Sequence, residues 1–343
     1  MKKILGRAFG VLAFLAITAS SCSSRADEGS TPNAEKGPTF RWVEFHRRSQ
    51  PILRARPGTW EDNWFCMDKV IQVDGRMRLY YEASSPGSNK DMSLGVAFSN
   101  DGIVWERYEG NPIWKKQSGG VQNWHHFLRD VRVYQFGPAD FWMYYSDGDQ
   151  HIDLAFSEDG LSWKNYEHNP VLAPTQEWED LVMQESILRL GQTDWRMWYS
   201  TYQKKPRVTG YATSTDGIHW TKFEKNPIFG LGKKGEWDDF TAFQPTVFQQ
   251  DGYFHMLYTG SDATNPIGYK WGYAWSKDGL AWTRSPQNPL FVGVKGEWDG
   301  GKVTGHDVFR TGPETYHIYY TGAPATDAPK RGIGLIRAKL LKE

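Results

Sequence analysis

The chain has 343 residues, in which 40 Lys and Arg balance 40 Asp and Glu. That balance excludes a strongly basic protein built for nucleic acid or for an anionic membrane surface. The length suits either two ordinary domains or one large all-β closure.

The N-terminus reads as an export signal over residues 1–22. Lys2, Lys3 and Arg7 precede an apolar run from Ala8 to Ala19 that is too short to span a bilayer as a finished helix. The run ends Ala19-Ser20-Ser21-Cys22, similar to a bacterial lipoprotein signal, in which Cys22 would carry the lipid and become the first residue. Ordinary secretion with a slightly later cut is the alternative. Residues 23–38 are polar and rich in Gly, Pro and Ser, the composition of a flexible tether. With Cys22 set aside, Cys66 remains as a lone thiol, so no internal disulfide is available and a buried structural thiol is expected. The expected product is an exported monomer held at the membrane only through its lipid.

Residues 39–343 repeat themselves. An indole with an acid-rich turn comes first, at Trp60-Glu61-Asp62, Trp124-His125-His126, Trp178-Glu179-Asp180, Trp237-Asp238-Asp239 and Trp298-Asp299-Gly300. A strand follows each, then an aromatic run: Leu79-Tyr80-Tyr81, Met143-Tyr144-Tyr145, Met197-Trp198-Tyr199, Met256-Leu257-Tyr258 and Ile318-Tyr319-Tyr320. Next comes Ser-x-Asp-Gly-x-x-Trp, a hairpin signal, starting at Ser99, Ser157, Ser214 and Ser276, spaced 58, 57 and 62 residues apart. Each phrase ends on Asn-Pro, at Asn111, Asn169, Asn226 and Asn288. A fixed period of this size means stacked units that cannot bury their apolar faces alone. Four strands per unit and five units predict an all-β, five-bladed β-propeller. The fifth hairpin is missing, so Trp42–Phe45 and Gln50–Leu53 are expected to complete the last blade and close the ring. Nine of the 17 tryptophans fall on repeat positions, which assigns most of the indole content to blade packing.

In such a ring the innermost strands line a central funnel. Aligning them on their apolar pairs places Asp68, Asp130, Glu185, Pro245 and His306 in one column. Three carboxyls and an imidazole from distant parts of the chain would then share one concave site, and crowding of ionisable groups marks function. The turn acids Asp101, Asp159, Asp216 and Asp278 recur with the fold, whereas the column carboxyls occur in three blades only and are not demanded by it.

Five blades with Asp, Asp and Glu opening the first three innermost strands resemble the furanosidase superfamily, glycoside hydrolase families 43 and 32. Phe156-Ser157-Glu158-Asp159-Gly160 and Asn169-Pro170-Val171-Leu172 are similar to the family 32 repeat, Arg129-Asp130 to its Arg-Asp-Pro, and Gly305-His306 to the last blade of family 43. The chain departs from these patterns at Lys69 and Val131, where proline is common. The resemblance implies a glycosidase acting on a terminal furanose or pentose unit of an oligo- or polysaccharide. Its roles, carried over by position, make Glu185 the general acid, Asp68 the base or nucleophile, and Asp130 the group that orients Glu185 and holds its proton. It implies no cofactor, apart from a structural calcium that the His306 side chain can approach.

Around the funnel, Trp64, His125, His126, Arg129, Gln184, Gln244 and His306 break the repeat and are the candidates for binding sugar. Two other readings stay open: a glycoside phosphorylase of a related propeller family, and a non-catalytic or sialidase-like sugar-binding propeller.

Overall fold

The computed structural model describes residues 37–88, 92–115, 128–147, 151–201, 206–325 and 331–343, with the side chains of Gln184 and Glu185 outside that set. Cys22, the export signal, the tether up to residue 36, and both His125 and His126 also lie outside the described residues.

Five antiparallel sheets, each a row of four strands with a fifth short strand added in two of them, make up the described part of residues 38–343, and no helix occurs among the described residues. The innermost strands are Asn63–Val73, Leu128–Gly137, Val182–Arg189, Thr241–Gln250 and Lys302–Arg310. Each packs on the next, and the last packs on the first, which closes the ring as a five-bladed propeller. Apolar clusters between neighbouring blades carry the aromatic runs: Tyr80, Tyr144, Tyr199, Tyr258 and Tyr320 are all fully buried.

The repeated phrase is explained by where its backbone hydrogen bonds go. In Ser99-Asn100-Asp101-Gly102 the serine Oγ accepts from Gly102 N at 2.8 Å, and Asp101 Oδ1 accepts from Ile103 N and Val104 N. Gly102 sits at φ 72°, the left-handed turn that favours glycine. Asn111 then pins the next segment, its Oδ1 accepting from Val96 N and its Nδ2 donating to Val96 O. The same contacts recur in the later blades.

The acid that follows the indole in four of the blades is a structural stitch. Glu61, Glu179, Asp238 and Asp299 each accept from a core tyrosine hydroxyl, at 2.6, 2.7, 2.9 and 2.7 Å. Each also pairs with a cation: Arg107, Lys222 and Arg284 from the outermost strand of its own blade, and Arg47 for Asp299. Arg47 belongs to Phe40–Arg47, which pairs with Gly332–Lys342 as the fourth strand of the last blade. Leu53–Arg54 adds to the same strand at Leu53↔Ile333. The expected closure by the N-terminal segment is therefore what the chain does. Arg47→Met should cost about 3–5 kcal/mol in denaturant unfolding, because it strands the fully buried Asp299 carboxylate; an unchanged midpoint would show that this bond does not hold the ring shut.

Candidate active site

The register of the innermost strands corrects the alignment drawn from sequence. Val70, Val133, Ile187, Val247 and Val308 stand opposite Leu79, Met143, Met197, Met256 and Ile318. Two residues earlier come Asp68, Val131, Glu185, Pro245 and His306, so Asp130 lies one position outside the expected column, level with Met67, Gln184, Gln244 and Gly305. The reason is local. Every innermost strand carries a β-bulge here, and apolar pairing alone does not reveal which residue is the extra one. Asp130, Gln244 and Gly305 adopt φ of 51°, 54° and 49°, a left-handed backbone that is costly for a side-chain-bearing residue.

The bulge brings the backbone of Asp130 and Val131 against the blade-one carboxyls despite the offset. Asp68 Oδ1 accepts from Val131 N at 3.2 Å, and Arg132 Nη1 donates to Asp68 O at 2.6 Å. A third carboxyl, not foreseen from the sequence, completes the cluster. Glu82 accepts from Trp64 Nε1 at 3.1 Å through Oε1, and from Asp130 N at 3.2 Å through Oε2. Its signal was present in the repeat. The equivalent positions after the aromatic runs are Ser146, Ser200, Thr259 and Thr321, small hydroxyls where blade one has a carboxylate. Ser200 and Thr321 accept the backbone N–H of Gln244 and Met67, the same register position in the next blade. An acceptor at this position recurs in blades one, three and five, and Glu82 supplies one that also ionises.

Asp68 and Glu82 are 2% and 4% exposed, while Asp130 is only half-buried. Burial pushes the Glu82 carboxyl up to about 8, with the Asp130 charge adding to it. Burial, then the charges of Glu82 and Asp130, raises Asp68 well above the usual range against the pull of Arg132. Burial also raises Asp130, but no carboxylate adds to it; Arg132, Arg129 and a hydrogen bond from Gln244 all favour its charge. The guanidinium groups thus favour a charge on Asp130, and a charge there raises both of its carboxyl neighbours.

Trp64 does not present a bare face. The Arg129 and Arg331 guanidinium groups lie over its ring at 4.5 and 4.2 Å. Arg331 Nη1 donates to Cys66 Sγ at 3.0 Å, and burial pushes that thiol up to about 11, so Cys66 stays a neutral structural thiol. His306 is 1% exposed, packs edge-on against Trp271 and has Thr246 Oγ1 at 3.0 Å from Nδ1. Burial and the Arg132 charge push His306 down to about 3, leaving a neutral ring inside the wall. A hydroxyl and a nearby guanidinium do not fit a calcium ion, which takes several carboxylate or carbonyl oxygens. Among the described residues no group of three or more His, Cys, Asp or Glu side chains is placed to hold a metal. Gln184 and Glu185 lie on the third innermost strand, Glu185 at its bulge. Lys69 Nζ meets Asp307 at 2.7 Å, and both side chains line a cavity of about 440 Å³.

Comparison with known proteins adds a fold relationship. The chain shares its fold with sugar-cleaving enzymes. A glycosyl hydrolase from Bacteroides ovatus superposes with a TM-score of 0.67 at 17% identity, covering 86% of this chain and 94% of that one. A β-1,2-mannobiose phosphorylase from Listeria innocua, in complex with β-1,2-mannobiose, gives 0.64 at 14% identity, with coverage of 87% and 97%. By sequence, an uncharacterised protein of Mycobacterium tuberculosis, Rv1502, is 26% identical over 175 residues, 49% of this chain and 56% of that protein. The match thus spans about half the length of that relative. No family model matches the chain.

Proposed function

We propose that this protein cleaves a glycosidic bond at the axial funnel, with Asp130 as the ionised carboxylate that meets the substrate. The observation that carries this is the carboxyl cluster at the head of the innermost strands: half-buried Asp130 stands beside the buried Asp68 and Glu82, its own N–H on Glu82 and the next N–H of its strand on Asp68. Glycoside cleavage needs one ionised and one protonated carboxyl. Asp130 takes the part of base or nucleophile, Glu185 is the proton donor, and Asp68 moves from its expected role as base to a buried partner that steadies Asp130. The solved structures sharing the fold act on sugars by their names, which supports an oligo- or polysaccharide substrate.

A phosphorylase is the second reading, favoured by the guanidinium groups of Arg129, Arg132 and Arg331 around the cluster. Repulsion of phosphate weakens once two of the three carboxyls are neutral. The deciding measurement is sugar release from aryl arabinofuranosides, xylosides, galactosides and β-mannosides, with and without inorganic phosphate. Release independent of phosphate supports hydrolysis; release only with phosphate, as sugar 1-phosphate, establishes the second reading. No release from any panel member or from plant and yeast polysaccharides would overturn both.

A further inference from the structure

We propose that the cavity lined by Lys69 and Asp307 is a second binding site, for a neutral sugar unit, beyond the carboxyl cluster on the propeller axis. Its lining comes from all five innermost strands, so it lies on the axis that they surround. On every strand the lining residues come after the level of Asp68, beginning at Lys69, Tyr134, Ser186, Thr246 and Asp307. Asp130 stands before that level, and Glu82 pairs with Cys66, also before it. The cavity therefore lies further along the strands than the cluster. Its volume of about 440 Å³ falls among small-molecule sites, which run from roughly 300 to 1,000 Å³. Arg189 lines it and is exposed, so the cavity reaches solvent.

Blade packing does not call for an ion pair here. Ser186 Oγ accepts from Val247 N of the next blade at 3.0 Å, and Asp307 Oδ2 accepts from Val70 N of the next blade at 2.8 Å. Blade five thus uses a carboxylate where blade three makes the same contact with a hydroxyl, and the additional oxygen, Oδ1, holds Lys69 Nζ at 2.7 Å. An ammonium carries three donors, of which Asp307 takes one, and the Lys69 side chain is 20% exposed. The rest of the wall is largely apolar. Tyr134 and Phe136 stack with their rings 8° from parallel, and Leu188 and Phe248 are half-buried. An apolar ligand would strand the ion pair. A small anion would meet Asp307, and a small cation would meet Lys69 and Arg189. A sugar suits the mixture because each hydroxyl both donates and accepts. Neighbouring hydroxyls can accept from Lys69 and donate to Asp307, while the C–H face of the ring covers the aromatic wall. The site does not depend on the reaction proposed above.

Binding is measured by ligand-observed NMR on the full chain carrying Asp130→Asn, so that turnover at the cluster does not interfere. The probes are arabinose, xylose, galactose and mannose and disaccharides of each, with inorganic phosphate as the comparison. Two further changes act on the cavity by different means. Leu188→Trp fills it and removes no side-chain hydrogen bond. Lys69→Met with Asp307→Ser removes the ion pair but keeps an acceptor for Val70 N, as in blade three. Each should weaken sugar binding by about tenfold or more, the worth of hydrogen bonds to charged groups in the second case. A loss counts only in a variant whose thermal midpoint is retained, and either variant alone is enough to decide. Sugar binding that survives in a folded cavity variant places the sugar elsewhere and overturns the proposal. So does the absence of binding by every sugar at millimolar concentration. Phosphate binding that the Lys69 and Asp307 changes abolish would make this an anion site and overturn it as well.

Discussion

Asp130→Asn is expected to lower kcat/KM on any glycoside the protein cleaves by about 10²–10⁴-fold, the usual contribution of a positioned acid–base carboxylate. The amide keeps the shape and the contacts around Asp130 but cannot carry the charge. Asp68→Asn is the informative companion. Asp68 is 2% exposed, and burial with its two carboxylate neighbours keeps it protonated. An asparagine resembles that neutral carboxyl, so the loss should be within about tenfold, far below a missing catalytic group. Kinetics of the two variants side by side decide between the roles. A larger loss for Asp68→Asn would return the base to Asp68, where the family resemblance places it.

The second large effect is on stability, and it runs against the usual behaviour of carboxylates. Glu82 lies near 4.5 when unfolded and is pushed up to about 8 in the fold by burial and by Asp130. The folded protein therefore holds this proton more tightly than the unfolded chain. Its contribution is fully present below about pH 4.5 and is lost as pH rises through 8, since stability falls with pH wherever the native state binds more protons. At full ionisation the penalty is on the order of 4 kcal/mol. Glu82→Gln imitates the protonated form. Its urea midpoint should match the parent near pH 5 and exceed it near pH 9.5. Parallel curves for the two proteins from pH 5 to 9.5 would mean that Glu82 is not a buried proton holder. The turn acids titrate elsewhere: backbone N–H donors hold Asp101 below the usual range, so they act only in acid.

What could be seen in the linear chain follows from repetition. Ser99, Ser157, Ser214 and Ser276 begin the same turn because the same side-chain-to-backbone bonds must be made in each blade, and a bond made four times leaves four copies of its residues. Closure of the last blade by Phe40–Arg47 was legible for the same reason, as a missing repeat unit with its replacement at the other terminus. Asp68 and Asp130 were legible as departures from repetition, acids at positions where most other blades carry none.

Tertiary structure decided the rest. A β-bulge is a backbone event, and the one in blade two leaves no trace in the apolar pattern, so only the folded register shows that Asp130 stands level with Gln244 rather than with Asp68. Glu82 was overlooked because it sits on a second strand, behind the funnel wall, and becomes part of the site only through the N–H of Asp130 in the next blade. Sequence identifies which residues can carry charge. Which of them does so depends on burial and on its neighbours' charges, and both come from packing distant segments of chain around one axis.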